Sequence, residues 1–215
     1  MCTTKVIIFL FSIGCVCGYF TLPGKCPDNV KFEEDFNLAE FDGTWYQAYH
    51  YSSDGQRLNN CSTVELLYKP TGIYVNYSRV DLGLFKRFSI GKLELIISKN
   101  EQSSELDVTF QFDNAPRRLR LRRYPFRILA TNYNYYATAY TCQYSPMINK
   151  HFVYVWILSR HPTLNDVSKE LALKPLAQLN VNHNKIVKDD WSKCVPKYFD
   201  VESSEPVTFR YAVAI

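Results

Sequence analysis

Seven cysteines carry the most definite chemistry in this chain, because thiols either pair or react. Three of them fall within residues 1–18, where Lys5 precedes the apolar stretch Val6–Phe11 and Gly18 offers a small residue for cleavage. We predict that residues 1–18 are a signal peptide, which places the rest of the chain in an oxidising compartment outside the cell. The even remainder predicts two disulfides, in one of three pairings that the sequence leaves open: Cys26, Cys61, Cys142 and Cys194.

A run of arginines offers a second kind of chemistry, the recognition of anions through forked, charge-assisted hydrogen bonds. Alternation along a strand divides the run into two faces, but it does not tell which face is buried. A buried face favours a ligand that carries carboxylates, whereas a solvated basic rim or a patch for anionic glycans is the alternative. One face holds Arg118, Arg120, Arg122 and Tyr124, and the other holds Arg117, Leu119, Leu121 and Arg123.

Catalytic chemistry is not indicated by the other reactive side chains. The four histidines are dispersed without metal-ligand spacing, and no serine or cysteine has an obvious histidine partner. We therefore predict a protein that is not an enzyme, holds no metal and requires no cofactor. The histidines are His50, His151, His161 and His183.

Strand-like alternation from Trp45 to Ser159 predicts the elements that position these residues. Turn residues such as Pro70-Thr71-Gly72 separate the segments at spacings typical of an antiparallel meander. Two segments exceed ordinary strand length, so we expect a bend or bulge in each, at Gly91 and at Pro125. The eight predicted strands, a number that suits a closed barrel, are Trp45–Tyr51, Thr63–Tyr68, Ile73–Val80, Phe85–Ser98, Leu106–Phe112, Leu119–Thr131, Tyr135–Cys142 and Phe152–Ser159.

The pattern becomes helical after the last strand. Asn165 is a good N-cap and Asp166 suits the first turn, so one helix is expected to pack on the barrel. Pro175 should kink this helix or start a second short turn, and Lys185–Lys188 then forms a final edge strand. The apolar residues at helical spacing are Val167, Leu171, Leu173, Leu176 and Leu179.

Length and composition predict one domain over residues 19–194, followed by a tail over residues 195–215. A chain of 215 residues that is 47% hydrophobic has enough apolar side chains for a sizeable core. The formal charge of +4 is too weak a bias to indicate nucleic acid as a partner. No window reaches the roughly 18 apolar residues of a membrane span. Arg210 interrupts the apolar end of the tail, which argues against a lipid anchor.

Three separated motifs occur in the order typical of the lipocalins, and the chain resembles that family over about residues 24–194. The cysteine placement is most similar to the branch of apolipoprotein D, Lazarillo and bilin-binding protein. The resemblance implies an all-β fold, an eight-stranded antiparallel up-and-down β-barrel with one C-terminal α-helix packed on it. The motifs are Gly43-Thr44-Trp45, preceded by Gly24-Lys25-Cys26-Pro27 and Phe36-Asn37-Leu38, then Thr131-Asn132-Tyr133, and finally Trp156-Ile157-Leu158-Ser159-Arg160.

The resemblance also implies specific pairings. Cys26 should pair with Cys142, and Cys61 with Cys194. At the closed end of the barrel the guanidinium of Arg160 should cover the indole of Trp45. Such a contact stabilises by about 0.5–2 kcal/mol, and its role is structural. The family usually has aspartate where this chain has asparagine in the second motif. The structural motif residues are Gly43, Trp45, Thr131, Asn132, Tyr133 and Arg160.

An eight-stranded barrel is wide enough to hold one small ligand, and alternation nominates the residues that line it. Residues with the parity of Trp45 or Trp156 should face inward, as should the neighbours of an outward, glycosylated Asn76. The same parity places His50 and His151 outside, which argues against an interior histidine of the kind that a haem-binding barrel needs. A barrel filled by its own tyrosines is the alternative. The resemblance to bilin-binding relatives implies that Arg120, Arg122 and Tyr124 also point inward. The predicted ligand-binding set is therefore Gln47, Tyr49, Tyr51, Val75, Tyr77, Arg79, Arg120, Arg122, Tyr124, Phe152 and Tyr154.

The resemblance implies a secreted, extracellular protein that binds and transports a small hydrophobic ligand without turnover. Bilin pigments such as biliverdin, fatty acids, sterols and retinoid-like molecules are the ligand classes to expect as cargo, with carboxylate-bearing ligands favoured by inward arginines. The alternative is an extracellular recognition glycoprotein of the Lazarillo type. Sequons at Asn60 and Asn76 are compatible with either function.

Overall fold

The structure, a computed structural model, describes residues 22–53, 61–81, 85–95, 104–111, 121–179, 181–194 and 199–202. The predicted signal peptide, the sequon at Asn60, residues 112–120 with Arg120, and most of the tail lie outside these ranges. The described strands are β1 Leu22–Pro23, β2 Thr44–Ser52, β3 Thr63–Lys69, β4 Gly72–Asp81, β5 Phe85–Leu95, β6 Glu105–Gln111, β7 Leu121–Thr131, β8 Tyr136–Ser145, β9 Lys150–Ser159, β10 Val187–Lys188 and β11 Phe199–Glu202, and the α-helix α1 is Asp166–Leu173.

Eight of the described strands, β2 to β9, form a closed antiparallel ring. Each strand pairs with the next along the chain, and pairing of β2 with β9 closes the ring. Each of the eight predicted strands corresponds to one of these, which confirms the up-and-down barrel. Outside the ring, β1 pairs with β9, β10 pairs with β2, and β11 lies parallel to the first residues of β5.

Two hydrophobic clusters lie on opposite sides of the barrel wall, because alternation along each strand sends neighbours to opposite faces. The interior cluster includes Trp45, Val75, Leu106 and Trp156. The outer cluster lies between the wall and the helical segment, where Ile157 packs with side chains such as Leu176 and Leu179.

Two β-bulges interrupt the alternation, and one of them lies in β7, a segment in which a bend or bulge is predicted, although not at Pro125. In β2 the register shifts between Gln47 and Tyr49, and in β7 it shifts between Ile128 and Ala130. No bulge occurs at Gly91, where a bend or bulge is predicted, because Gly91 pairs regularly with β4 and β6. Pro125 also stays in register with β6. Its missing N–H is tolerated because pairing of β7 with β8 begins only two residues later.

The α-helix begins where it is predicted to begin, but the residues that face the barrel differ from the predicted ones. Asn165 caps α1, with its side chain accepting from the backbone N–H of Ser168 at 2.8 Å. Val167 and Leu171, predicted to face the barrel, are exposed, and Ser168 and Ala172 are buried instead. The predicted stripe of apolar residues assumes one helical period that continues past Pro175. A 3-10 segment from Lys174 to Leu179 replaces the α-helix there, and it has fewer residues per turn.

Both disulfides have the pairing that the resemblance implied. Cys26 bonds to Cys142 on β8, and Cys61 bonds to Cys194. The first ties the amino-terminal segment to the barrel wall, and the second ties the segment after β10 to the start of β3. None of the described helices is long and apolar enough to cross a membrane.

Candidate functional site

The two ends of the barrel differ in what surrounds them. Because neighbouring strands run in opposite directions, the starts of β2 and β4 lie at one end, here called the base, together with the ends of β3 and β9. Trp45, at the start of β2, is fully buried at the base and stacks on Phe41 with ring centroids 4.7 Å apart. Its indole Nε1 donates to the Phe41 carbonyl at 2.9 Å, which fixes the plane of the ring.

Arg160 closes the base. Its guanidinium carbon lies 3.8 Å from the centre of the Trp45 ring, as the resemblance implied. The same guanidinium donates to three backbone carbonyls, those of Tyr133 at 2.8 Å, Glu40 at 3.1 Å and Thr44 at 3.3 Å. Burial lowers the pKa of Arg160, and nearby Asp42 opposes that shift. Arg160 therefore joins three chain segments, and its role is structural.

The turn between β7 and β8 shows how asparagine serves at the position where the family usually has aspartate. The Asn132 Oδ1 atom accepts from the backbone N–H groups of Tyr135 and Tyr136, at 2.9 and 3.0 Å. Thr131 Oγ1 donates to the Tyr136 carbonyl at 2.9 Å and accepts from the N–H of Tyr133 at 3.0 Å. A neutral amide oxygen thus provides the acceptor geometry that the turn needs.

Aromatic side chains dominate the inner wall. Phe110 and Tyr124 meet edge to face with centroids 5.7 Å apart, and Phe126 lies 5.6 Å from Trp156. Tyr154 stacks on Trp156 at 6.3 Å. Five residues of the predicted ligand-binding set belong to this interior cluster or pack against it, namely Val75, Tyr77, Tyr124, Phe152 and Tyr154.

Two arginines lie side by side on the inner wall, at the end of the barrel opposite the base. Arg79, which was predicted to line the barrel, is 8% exposed and pairs across the strands with Arg87. Both share the face of Val75 and Gly91, which pair four residues further along the same two strands. Arg122 pairs with the inner residue Phe110 on β6, so its backbone has an inward register position. Arg87 was missed because only the pairing of β4 with β5 shows that it faces Arg79.

The bulge in β2 removes two residues from the predicted lining. Beyond Ala48, the extra residue, Tyr49 pairs with Ile157 and Tyr51 with Val155, both partners being in the outer cluster. Tyr49 and Tyr51 therefore face outward, and the prediction that they line the cavity is wrong. Tyr51 is 3% exposed because the outer cluster covers it, and burial raises its pKa. The Lys169 ammonium lies 5.5 Å from the centre of the Tyr49 ring.

The same bulge turns a histidine inward. His50 pairs with the interior residue Trp156, and the parity argument that placed this histidine outside is wrong. Gln47, before the bulge, pairs with interior Leu158 and is 2% exposed. His151 does face outward as predicted, where its Nδ1 lies 3.0 Å from the Gly24 carbonyl oxygen. Within the described ranges, no group of three or more histidine, cysteine or acidic side chains is arranged to hold a metal ion.

Asn76 lies on the outer face, between Glu65 on β3 and Ile90 on β5. Its Nδ2 donates to the Glu65 carboxylate at 3.3 Å. The neighbouring sequon residue Ser78 is 2% exposed, and its hydroxyl lies 2.5 Å from that of Thr63. The outward direction is the one that a glycan requires, and glycosylation here stays a prediction.

Comparison with known proteins agrees with this architecture. The family model described as Lipocalin / cytosolic fatty-acid binding protein family matches residues 91–193. Insecticyanin-A of Manduca sexta is 31% identical over 185 residues, covering 84% of this chain and 94% of that protein. Bilin-binding protein of Pieris brassicae is 23% identical over 175 residues, covering 81% and 88%. The solved structure of insecticyanin from Manduca sexta matches with a TM-score of 0.74 at 28% identity, over 86% of this chain and 96% of that one. By sequence and by fold alike, the chain belongs to the lipocalin family.

Proposed function

We propose that this protein is an extracellular carrier that binds a small hydrophobic ligand with carboxylate groups inside its barrel, without chemical turnover. The observation that carries the proposal is the pairing of Arg79 with Arg87 on an inner wall that is otherwise largely apolar and rich in aromatic residues. An apolar wall with a few convergent polar groups is the usual make-up of a small-molecule site.

The two arginines define the chemical class of the ligand. The pairing of β4 with β5 places these two cationic residues side by side on the inner face, and Arg79 is buried there. A ligand carboxylate at this position would accept forked, charge-assisted hydrogen bonds from guanidinium groups. Arg120 and Arg122, predicted at the same end of the barrel, would add to this effect.

The aromatic residues define the shape of the ligand. Rings such as Tyr124, Phe126, Tyr154 and Trp156 present flat, polarisable surfaces that favour a planar conjugated molecule over a flexible chain. A bilin with propionate groups combines both properties. The name of the similar bilin-binding protein of Pieris brassicae supports this choice.

Export of the protein is part of the proposal. Two disulfides join segments that are 116 and 133 residues apart in sequence, and such bonds persist in oxidising compartments. The predicted signal peptide over residues 1–18 provides the route.

The test is purification of the native protein from its source, followed by an absorption spectrum and mass spectrometry of the organic extract. A visible band together with a tetrapyrrole mass supports a bilin carrier. A fatty acid in the extract supports a carrier of carboxylate ligands but contradicts the bilin, whereas a sterol supports a carrier but contradicts the carboxylate class. Protein without any extracted ligand, and without binding of added biliverdin or palmitate, would contradict the carrier function.

A further inference from the structure

His50 is the histidine that the bulge in β2 turns toward the interior. It is 4% exposed and pairs across the strands with Trp156, whose ring belongs to the interior cluster. Its position near the end of β2 places it in the half of the barrel opposite the base, the half that also holds Arg79 and Arg87.

A buried carboxylate holds the imidazole in place. His50 Nδ1 lies 3.2 Å from Oδ1 and 3.3 Å from Oδ2 of Asp189, whose side chain is 0% exposed. Gln47 Nε2 donates to the same Oδ2 atom at 3.0 Å. Gln47 Nε2 also lies 3.3 Å from the same Nδ1 atom. Because a buried carboxylate needs hydrogen-bond donors, we assign the ring proton of His50 to Nδ1, directed at Asp189.

The segment that carries Asp189 is itself fixed to the barrel. The Asp189 N–H donates to the Ala48 carbonyl at 3.0 Å, beside the pairing of β10 with β2. Trp191 Nε1 donates to the Gln47 carbonyl at 2.7 Å, and the Cys61–Cys194 disulfide follows. These bonds fix the segment that holds Asp189, and Asp189 in turn orients His50, as in sites where a carboxylate orients a functional histidine.

The other ring nitrogen is available. With the proton on Nδ1, the Nε2 atom is a hydrogen-bond acceptor, and none of the residues that the structure describes forms a hydrogen bond with it. We propose that His50, positioned by Asp189, is a ligand-binding residue whose Nε2 accepts a hydrogen bond from an N–H or O–H group of the ligand. This inference rests on the proposed carrier function and narrows its ligand class.

His50 and the arginine pair select for different parts of one molecule. Arg79 and Arg87 recognise carboxylates, whereas the Nε2 acceptor of His50 in the assigned tautomer recognises an N–H or O–H donor. A bilin offers both, with propionates and with pyrrole and lactam N–H groups. A fatty acid offers only a carboxylate and leaves the acceptor of His50 unsatisfied. The barrel should therefore prefer a bilin over a fatty acid.

The test compares the binding of biliverdin and of palmitate by the full-length protein and by the H50L variant. Loss of one hydrogen bond should weaken the Kd for biliverdin about tenfold. The Kd for palmitate should stay within about twofold, because no N–H or O–H contact is lost. The matched control is H151L, which removes the other buried histidine from the outer face and should leave both constants unchanged.

Two further measurements separate binding from folding. The H50L/D189N variant removes the buried charge that H50L leaves without its histidine, and it should show the same selective loss. In the wild-type protein labelled with ¹⁵N-histidine, the Nε2 resonance of His50 should shift when biliverdin is added. An equal loss for both ligands, an unchanged biliverdin Kd, or an unmoved resonance overturns the role of His50 and leaves the carrier function standing. If the wild-type protein binds neither ligand, the carrier function itself is wrong.

Discussion

A β-carbon on Gly91 would lie 2.9 Å from two ring carbons of Phe110, its cross-strand partner, and 2.7 Å from Cγ1 of Val108. The Phe110 ring therefore occupies the space that a side chain at residue 91 would need. Both neighbours are buried, so neither can swing away into solvent. Covering of a strand glycine by a cross-strand aromatic ring is a known way to stabilise such a position.

Gly91→Ala should consequently destabilise the protein by about 1–3 kcal/mol, because the new methyl group overpacks the wall and pushes the Phe110 ring inward. Urea unfolding would measure the change in the free energy of unfolding. The control is the double variant Gly91→Ala with Phe110→Leu, which should cost less than the sum of the two single changes. Additive costs would show that the two residues do not compete for the same space.

The extent of sequence-based prediction is illustrated by β2. Alternation correctly predicts that this segment is a strand and that Trp45 is buried, because the period of two holds up to Gln47. One extra residue, Ala48, reverses the parity of everything after it. Nothing in the local sequence marks that position, since neither a glycine nor a proline is present. Tyr49, Tyr51 and His50 are therefore assigned to the wrong faces by alternation alone.

Contacts between distant segments form a second limit. Asp189 lies 139 residues from His50, and only the pairing of β10 with β2 brings them together. By contrast, the disulfides and the contact between Arg160 and Trp45 were predictable, because each belongs to a motif that the family resemblance carries as a unit.

Replacing Arg160 should weaken the base of the barrel. Arg160→Lys keeps the charge but loses the planar guanidinium that stacks on Trp45 and donates to three carbonyls. We expect a loss of about 1–3 kcal/mol in the free energy of unfolding, measured by urea titration. Lys169→Met removes a longer cation–π contact, 5.5 Å above Tyr49, and should cost less than about 0.5 kcal/mol. Equal effects of the two changes would contradict the role assigned to Arg160.

Stability should fall at alkaline pH through Tyr140. Burial in the outer cluster raises the pKa of this phenol from 10.0 to about 12, with Arg127 opposing the shift. Because the unfolded chain releases the proton at lower pH than the folded protein, stability is full below about pH 10 and declines as the pH rises toward 12. Urea midpoints measured across this range should decline less in Tyr140→Phe. Tyr135, which is 51% exposed, provides the control, because Tyr135→Phe should leave the pH profile unchanged.

Ligand charge should matter at Arg79 and Arg87 if these residues receive a carboxylate. Arg79→Met and Arg87→Met each remove a guanidinium from the inner wall and retain much of the aliphatic stem. We expect each change to weaken the binding of biliverdin about tenfold or more, and to have little effect on its dimethyl ester, which has the same chromophore without carboxylates. Fluorescence quenching of the tryptophans would measure both affinities. Arg123→Met is the matched control, because the side chain of Arg123 is 64% exposed and pairs with Asp107. Equal losses for the acid and the ester would mean that the arginines support the wall rather than bind the ligand.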